Sequence, residues 1–276
     1  MSAEVASTVT LTPSDIRSLC RADVFKEAST AGTCAGHVQA NVIILPQKYA
    51  DDFRWLCLRN PVSCPLLGET KPGDSRVPEH LASNSDIRTD CPLYNIYRDG
   101  VFVESKPSLE DYWQPDSIAF FIGCSYSFEA ALTANKLAPR HTELGRNVPM
   151  YRTNVPLMAA GAFSGHMVVS MRPYPISQVP KVRDITRPYF LAHGEPVAYG
   201  PDGAKALGLS DFDGSNPDFG DPTEIREGEI AVYWGCGVTP QVAVMDSGIE
   251  GIVMGHAPGQ MLVLDMVNEA VCKGKL

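Results

Sequence analysis

A Gly-Cys pair follows a short apolar segment at two places in this chain. Residues 117–122 precede Gly123-Cys124, and residues 229–234 precede Gly235-Cys236. Both segments are rich in β-branched and aromatic residues and end at glycine, which is typical of buried strands. In α/β proteins, the loops that contact ligands lie at the ends of such strands. The two turns therefore predict a pocket for a small polar molecule.

The composition is that of a globular protein that binds neither nucleic acid nor membranes. The chain has 276 residues, of which 44% are hydrophobic and 20% are charged, so it can bury one large core or two smaller ones. The net charge is −9, and the absence of a basic cluster argues against nucleic acids and anionic membranes as partners. No apolar segment reaches the ~18 residues that a membrane span requires.

Cysteine spacing and the N-terminal residues predict a cytoplasmic protein. The eight cysteines include no CxxC pair, which argues against a zinc ribbon or a redox dithiol. Residues 1–10 contain an acid and no basic segment, so they do not resemble a signal peptide. We expect reduced thiols, no metal, no cofactor and a small acidic molecule as substrate. A homo-oligomer is compatible with the sequence.

Helical and strand patterns alternate early in the chain, whereas strand patterns dominate late. This order predicts an α/β plus α+β fold, with a mixed sheet and helices. We expect residues 1–145 with 228–276 to form an α/β main domain, and residues 146–227 to form a smaller α+β domain. No internal repeat is visible.

Two local signals are strong. Thr12, Pro13 and Asp15 form the pattern of a capped helix start. Asp99-Gly100, between two strand-like segments, is typical of a hairpin turn.

Cys124, Ser125 and Ser127 lie where the first predicted strand turns into a helix. The N–H groups at a helix start can bind a carboxylate, and the same position lowers a thiol pKa. The segment therefore predicts a catalytic Cys124 beside two substrate-binding serines. The alternative is that a serine caps the helix and that Cys124 is a small buried apolar residue.

The second Gly-Cys turn, at residues 235–241, also offers a thiol and polar side chains. Cys236 is a candidate acid or base between two glycines, which let the backbone approach a ligand closely. Thr239 and Gln241 can contact a substrate through a hydroxyl and an amide. The alternative is a tight turn with ordinary loop hydrogen bonds.

Arg172 ends an apolar strand, where an arginine is unusual unless it is paired. Its planar guanidinium suits a substrate carboxylate. The alternative is an ion pair with Asp184, with Glu195 or with an acid of the loop at residues 211–221. Asn154, the last residue of the segment Arg152-Thr153-Asn154, is a further candidate for substrate binding.

His193 and His256 lie at glycine-rich turns and can titrate near neutral pH. We expect His256 to be catalytic, although such histidines are more often hydrogen-bonded loop residues. The acidic loop at residues 211–221 resembles a calcium loop, but its twelfth position is Pro222 and not Glu. Within this loop, Asp218 is a candidate for the pocket.

Several blocks of this chain, taken together, resemble a widespread bacterial family of hydro-lyases. This family is similar to one part of the mitochondrial D-glutamate cyclase of animals. The resemblance extends over about residues 12–266. The blocks are Thr33–Asn41, Asn60–Leu67, Gly123–Glu129, Tyr151–Pro156, Met167–Pro173, Pro217–Asp221 and Gly235–Gln241.

The resemblance implies two intertwined α/β and α+β parts and a reaction that removes water. The animal enzyme closes D-glutamate into 5-oxo-D-proline. The chain departs from the family at Gln260, where a histidine or similar group is expected, and at residues 200–202, where Gly-Asp-Pro is expected. The substrate of this member can therefore differ.

Three functions compete. The first is a hydro-lyase that acts on a small amino or hydroxy dicarboxylic acid, such as D-glutamate. The second is a racemase or epimerase in which Cys124 and Cys236 face each other across the substrate. The third is a protein that binds a small acid without catalysis.

Overall fold

The computed structural model of the protein describes residues 11–210 and 213–272. Residues 1–10, on which the signal-peptide argument rests, and Asp211 of the acidic loop lie outside the described residues. Within the described segments, no helix combines the length and the apolar character needed to cross a membrane.

Helices and strands are distributed along the whole described chain. The helices are α1 (Pro13–Arg21), α2 (Ala50–Arg59), α3 (Tyr126–Ala134), α4 (Arg140–Glu143), α5 (Val179–Thr186), α6 (Gly200–Ala206) and α7 (Val238–Asp246). The strands are β1 (His37–Pro46), β2 (Leu66–Glu69), β3 (Tyr94–Arg98), β4 (Val101–Lys106), β5 (Ser117–Gly123), β6 (Met150–Pro156), β7 (His166–Pro175), β8 (Ala198–Tyr199), β9 (Glu229–Gly235), β10 (Ile252–His256) and β11 (Leu262–Val267).

The strands form two sheets, and the described pairings are antiparallel. The first sheet has the order β2-β5-β1-β10-β3-β4, and β11 pairs with the first half of β1. The second sheet has the order β6-β7-β9-β8. This combination of sheets and helices confirms the predicted class as a mixed α+β fold, but both sheets are antiparallel where a mixed sheet was predicted.

The second sheet takes its strands from Met150 to Gly235. Strand β9 therefore pairs with the smaller sheet, although residues 228–276 were expected in the main domain. Strands β10 and β11, from the same segment, do lie in the first sheet. The division into 1–145 with 228–276 and 146–227 stays a prediction.

Both local sequence signals are confirmed. Thr12 Oγ1 accepts from the backbone N–H of Asp15, and the Asp15 carboxylate accepts from the N–H of Thr12, which is a capping box. Strands β3 and β4 form a hairpin across Asp99-Gly100.

Strand β1 is the centre of the first sheet and is buried on both faces. Val38, Ala40, Val42 and Ile44 pack in one core cluster, while Ile43 and Leu45 pack in another on the opposite face. Each of the buried Val, Ile and Leu side chains contributes roughly 1.5–3 kcal/mol by leaving water. The two-sided burial explains why the second half of the strand, residues 42–46, is continuously apolar.

Both sheets are built on one repeated pattern of elements. In the first half, β1 is followed by a 3₁₀ turn, α2 and the edge strand β2, and β5 then pairs with β1 and leads into α3. In the second half, β7 is followed by a 3₁₀ turn, α5 and β8, and β9 then pairs with β7 and leads into α7. The registers agree, because Ala40 lies opposite Gly123 and Val169 lies opposite Gly235. The expectation of no internal repeat is therefore wrong for the order and pairing of the elements, in which the two Gly-Cys turns occupy equivalent positions.

Each half gives its last strands to the sheet of the other half. Strand β6 follows α3 of the first half but pairs with β7, with Met150 opposite Ser170. Strands β10 and β11 follow α7 of the second half but pair with β1. The two parts are therefore intertwined, as the resemblance implied.

Loops from each half also pack against the Gly-Cys turn of the other half. A Cβ added to Gly123 would lie 1.8 Å from the carbonyl oxygen of Leu191, in the loop after α5. A Cβ added to Gly235 would lie 2.9 Å from the carbonyl oxygen of Val62, in the loop after α2. His193 joins the two loops, because its Nδ1 donates to the Val62 carbonyl at 2.8 Å. Both turns need glycine for these close approaches.

We expect Gly123→Ala to lower the free energy of unfolding by about 3 kcal/mol or more, because the new methyl group would overlap a backbone oxygen. Urea unfolding followed by circular dichroism measures this change. The matched control is Gly203→Ala in α6, where the nearest atom to the new Cβ would be the Ala198 Cβ at 3.1 Å and helix propensity improves. Equal stability of the two variants would contradict the close packing of the loop on β5.

Candidate functional site

The two Gly-Cys turns meet where the two halves of the fold join. Cys124 connects β5 to α3, and Cys236 lies in the turn between β9 and α7. Both residues belong to one apolar cluster, and they are 8% and 7% exposed. The cluster also contains Tyr126, Val148, Met150, Val168, Val242 and Met261, with Ala31, Phe219 and Val238 packed against it. The cysteines that the sequence singled out therefore share one buried region.

Burial dominates the electrostatics of both thiols. It raises the pKa of Cys124 to about 12 and the pKa of Cys236 to about 11. The backbone N–H groups of Tyr126 and Val238, at the two helix starts, oppose this shift but do not cancel it. The expected lowering of the Cys124 pKa is therefore wrong, because the sequence indicates the helix start but not the loss of water around the sulfur.

Arg172 on β7 forms a sealed ion pair with Glu129 on α3. Arg172 is 0% exposed, and its Nε donates to Glu129 Oε1 at 3.1 Å. Its Nη2 donates to the same oxygen. The guanidinium carbon lies 5.1 Å from the ring centroid of Phe128 and 5.3 Å from that of Trp234. This arrangement corrects the expected carboxylate clamp, because the charge is already paired inside the core, with an acid that the sequence did not single out.

Glu129 is held ionised in spite of its burial. Burial alone would raise the pKa of Glu129, but the charges of His141 and Arg172 outweigh it and hold the value at about 2. His141 Nε2 lies 3.1 Å from Glu129 Oε1. A signal for Glu129 exists in the sequence, since it lies one helical turn after Ser125 and therefore on the same face of α3.

The serines after Cys124 do not cap helix α3. Ser125 Oγ accepts from Arg172 Nη2 at 2.9 Å, so this residue ties the ion pair to the first turn. Ser127 is fully buried, and its Oγ has no hydrogen-bond partner among the described residues. On β7, Ser170 Oγ accepts from Arg172 Nη1 at 3.1 Å. Contact of Ser125 or Ser127 with a substrate stays a prediction.

A second set of polar side chains connects the two turns through His256. The Nδ1 of His256 lies 2.8 Å from the carbonyl oxygen of Ala257, which can only accept, so Nδ1 carries the proton. Nε2 then accepts from Gln241 on α7 at 2.8 Å. Burial lowers the pKa of His256 to about 4, so the ring is neutral at pH 7. The Nδ2 of Asn41 on β1 donates to the carbonyl of Gly123 at 3.1 Å. Its Oδ1 lies 3.2 Å from His256 Nε2, where two acceptors face each other and form no hydrogen bond in this tautomer.

Gln241 and His256 also line a cavity of about 160 Å³ beside the cysteine cluster. Phe219, Val238 and Val242 are shared by the wall of this cavity and the cluster. The remaining lining residues are Ile43, Asn95, Tyr97, Arg152, Met245, Met254, Gly255 and Pro258. The cavity therefore borders the cysteine cluster through these shared residues, although neither Cys124 nor Cys236 is among the residues that line it.

Three other candidates serve the local structure. Thr239 is 0% exposed, and its Oγ1 accepts from the N–H of Val168 at 3.0 Å and donates to the carbonyl of the same residue at 3.1 Å. Asp218 Oδ2 accepts from the N–H of Arg152 at 2.8 Å. Asn154 is exposed, and its side chain lies against Gly208. A substrate contact of these three residues stays a prediction.

Gln260 and residues 200–202, where the chain departs from the family pattern, both have structural roles. Gln260 Nε2 donates to the carbonyl of Ala28 at 2.9 Å, which ties the segment before β11 to the chain near the N-terminus. Residues 200–202 begin helix α6. In residues 11–210 and 213–272, no group of three or more His, Cys, Asp or Glu could hold a metal ion. The expectations of no metal and no cofactor stay predictions.

The arrangement can be compared with known proteins. A family model described as D-glutamate cyclase matches residues 118–265. A "Putative hydro-lyase" of Schizosaccharomyces pombe is 49% identical over 93% of this chain and 85% of its own length. A "Putative hydro-lyase" of Stutzerimonas stutzeri is 46% identical over 94% of this chain and 95% of its own length. A crystal structure of a nitrogen repressor-like protein from Methanococcus jannaschii has a TM-score of 0.34 and 11% identity, over 89% of this chain and 96% of that one.

We expect Glu129→Gln to lower the free energy of unfolding by about 3–5 kcal/mol at pH 7, because it leaves Arg172 buried without its counter-charge. The folded pKa of Glu129 is about 2, below the ordinary value of 4.5. The stabilisation is therefore complete above pH 4.5 and is lost as the pH falls toward 2. Urea unfolding from pH 7 down to the lowest pH at which the fold persists tests both statements.

The matched control for this measurement is Glu195→Gln. Glu195 pairs with Arg183 at 2.8 Å on the surface, where both side chains are more than one third exposed. We expect a loss of less than ~1 kcal/mol for this exposed pair. A similar loss for both variants would show that the buried pair has no special role in stability.

Proposed function

The chain belongs to the D-glutamate cyclase family, and we propose that it is a lyase that removes water from a small amino or hydroxy dicarboxylic acid. The observation that supports this most is that two equivalent Gly-Cys turns meet in one buried cluster. A buried pair of thiols can hold and move protons in a site from which water is excluded. Cyclisation of D-glutamate to 5-oxo-D-proline is the first reaction to test.

The cyclisation requires two proton movements. The amine nitrogen forms a bond with the γ-carboxyl carbon, and one carboxyl oxygen leaves as water. The ammonium group loses two protons, and the departing oxygen gains two, so no external oxidant or proton source is needed. The site must therefore supply one group that accepts a proton from nitrogen and one group that donates a proton to oxygen.

Cys236 and Cys124 are the candidates for these two roles. The pKa of Cys236 is raised to about 11, less than that of Cys124, which is raised to about 12. Because the two turns are equivalent, either thiol can fill either role, and we take Cys236 as the base and Cys124 as the proton donor for the tests below. For dehydration of a hydroxy acid, the same pair would take a proton from carbon and give one to the leaving hydroxyl.

A second candidate is a racemase or epimerase, and the structural duplication favours it. Equivalent turns present the two thiols from the two halves of the fold, as removal and return of an α-proton from opposite sides would require. Such an enzyme would introduce solvent deuterium at the α-carbon without loss of water. A binding protein would instead be stabilised by an acid without turnover.

We expect the protein to release 5-oxoproline from D-glutamate, and Cys124→Ala or Cys236→Ala to reduce the rate more than tenfold, as the loss of an acid or base does. Mass spectrometry of reactions with D-glutamate, L-glutamate and hydroxy dicarboxylates in deuterated water measures water loss and exchange together. Cys20→Ala is the control, because Cys20 is a buried thiol in a cluster beneath α1. Equal rates for all three variants would exclude the cysteine pair, and dehydration of hydroxy acids alone would exclude the cyclase.

The pH dependence gives a separate test of the base. We expect kcat/KM to rise about tenfold per pH unit from pH 7 to 9, because the thiolate fraction increases tenfold per unit below the raised pKa of Cys236. The measurement is a pH profile at constant ionic strength with the fold checked at each pH. A profile that is flat or falls over this range would exclude a Cys236 thiolate as the base.

A further inference from the structure

We propose that the cavity of about 160 Å³ beside Cys236 holds the non-reacting carboxylate of the substrate, with Arg152 as its anchor. This inference rests on the proposed function, because it names the part of the substrate that binds next to the cysteine pair. It also supplies the carboxylate clamp that Arg172, closed within its own ion pair, does not provide.

The charges around the cavity favour an anion. Arg152 lines the cavity, and none of the described lining residues is Asp or Glu. His256 is neutral at pH 7, because burial lowers its pKa to about 4. The Arg152 guanidinium is therefore the cationic group among the described lining residues, and once it is released from Asp246 it can hold a carboxylate through two parallel hydrogen bonds. An ammonium group would find no counter-charge on these walls.

Arg152 is held in position but is not sealed. Its backbone N–H donates to Asp218 Oδ2 at 2.8 Å, and its guanidinium carbon lies 5.4 Å from the ring centroid of Phe219. Its Nη1 donates to Asp246 Oδ2 at 3.0 Å, and the two side chains are 47% and 53% exposed. Exposed pairs of this kind are weak, so a substrate carboxylate can replace Asp246 as the partner.

The cavity is connected to the cysteine pair through shared residues. Val238 lines the cavity, and its backbone N–H points at the sulfur of Cys236. Val242 and Phe219 also contact both regions. A molecule anchored at Arg152 would thus extend toward Cys236 along the start of helix α7.

The volume limits the size of the ligand. A cavity of about 150 Å³ accommodates benzene, which has six heavy atoms. Because Arg152 on its wall is about half exposed, part of a ligand can lie outside the cavity beside Cys236, which therefore suits an acid with about six to ten non-hydrogen atoms. Dicarboxylic acids of four or five carbons fall in this range.

Calorimetric titration with succinate, and with succinamide as its uncharged analogue, tests the inference on the full chain. We expect succinate to bind and succinamide to bind at least tenfold more weakly. Arg152→Gln should weaken succinate binding at least tenfold, while Arg152→Lys should retain part of it. Arg183→Gln is the matched control, since Arg183 forms a comparable half-exposed pair with Glu195 and lines a different cavity, and it should bind succinate as the unmodified protein does.

The outcomes separate this inference from the proposed function. If Arg152→Gln binds succinate normally, or if succinamide binds as well as succinate, the anchor is wrong, even where the cysteine variants abolish turnover. If Arg152→Gln loses binding while Cys124→Ala and Cys236→Ala retain full turnover, Arg152 is the carboxylate anchor and the two cysteines are not the acid and base of the reaction. Melting temperatures of the variants show whether a loss of binding reflects a loss of the fold. In addition, Asp246→Asn removes the charge that pairs with Arg152, so it should strengthen succinate binding if Arg152 is the anchor.

Discussion

The buried ion pair between Arg172 and Glu129 is the interaction on which the centre of the molecule depends. Arg172 comes from β7 of the second half, and Glu129 comes from α3 of the first half, so the pair joins the two halves directly. Breaking one partner would leave a full charge in the core, which is far more costly than losing an apolar contact. The pair also holds Ser125, the residue after Cys124. The geometry of the first Gly-Cys turn is therefore linked to an electrostatic requirement of the core.

Much of the local structure could be predicted from the sequence because its causes are local. The capping box at Thr12, the hairpin at Asp99-Gly100 and the buried strands before each Gly-Cys pair depend on residues within a few positions of one another. The mixed helix and sheet class follows from the order of these segments. The meeting of Cys124 and Cys236 was also anticipated, since both turns follow buried strands, although the reason is a duplication between antiparallel sheets that the sequence does not display.

The site was less predictable because its electrostatics depend on distant segments. Whether Cys124 has a raised or a lowered pKa depends on Val168, Met261 and other residues that exclude water around it, and these lie far along the chain. The partner of Arg172 is likewise set by packing, and nothing in the helical pattern around Glu129 distinguishes it from a surface glutamate. Arg152 was visible only as part of a motif, and its position beside His256 and Gln241 required the fold.

The exchange of strands between the halves has a consequence for how the chain reaches its native state. As the chain leaves the ribosome, β1 has one edge that β10 and β11 cover in the native structure, and these come after all the other described strands in the chain. Until then the long apolar β1 presents a free edge, the kind of surface that pairs with other chains and aggregates. The pairing also spans most of the sequence, which makes folding intrinsically slow. Completion of the core must therefore wait until β10 and β11 have been synthesised, and the nascent protein depends on protection of that edge until then.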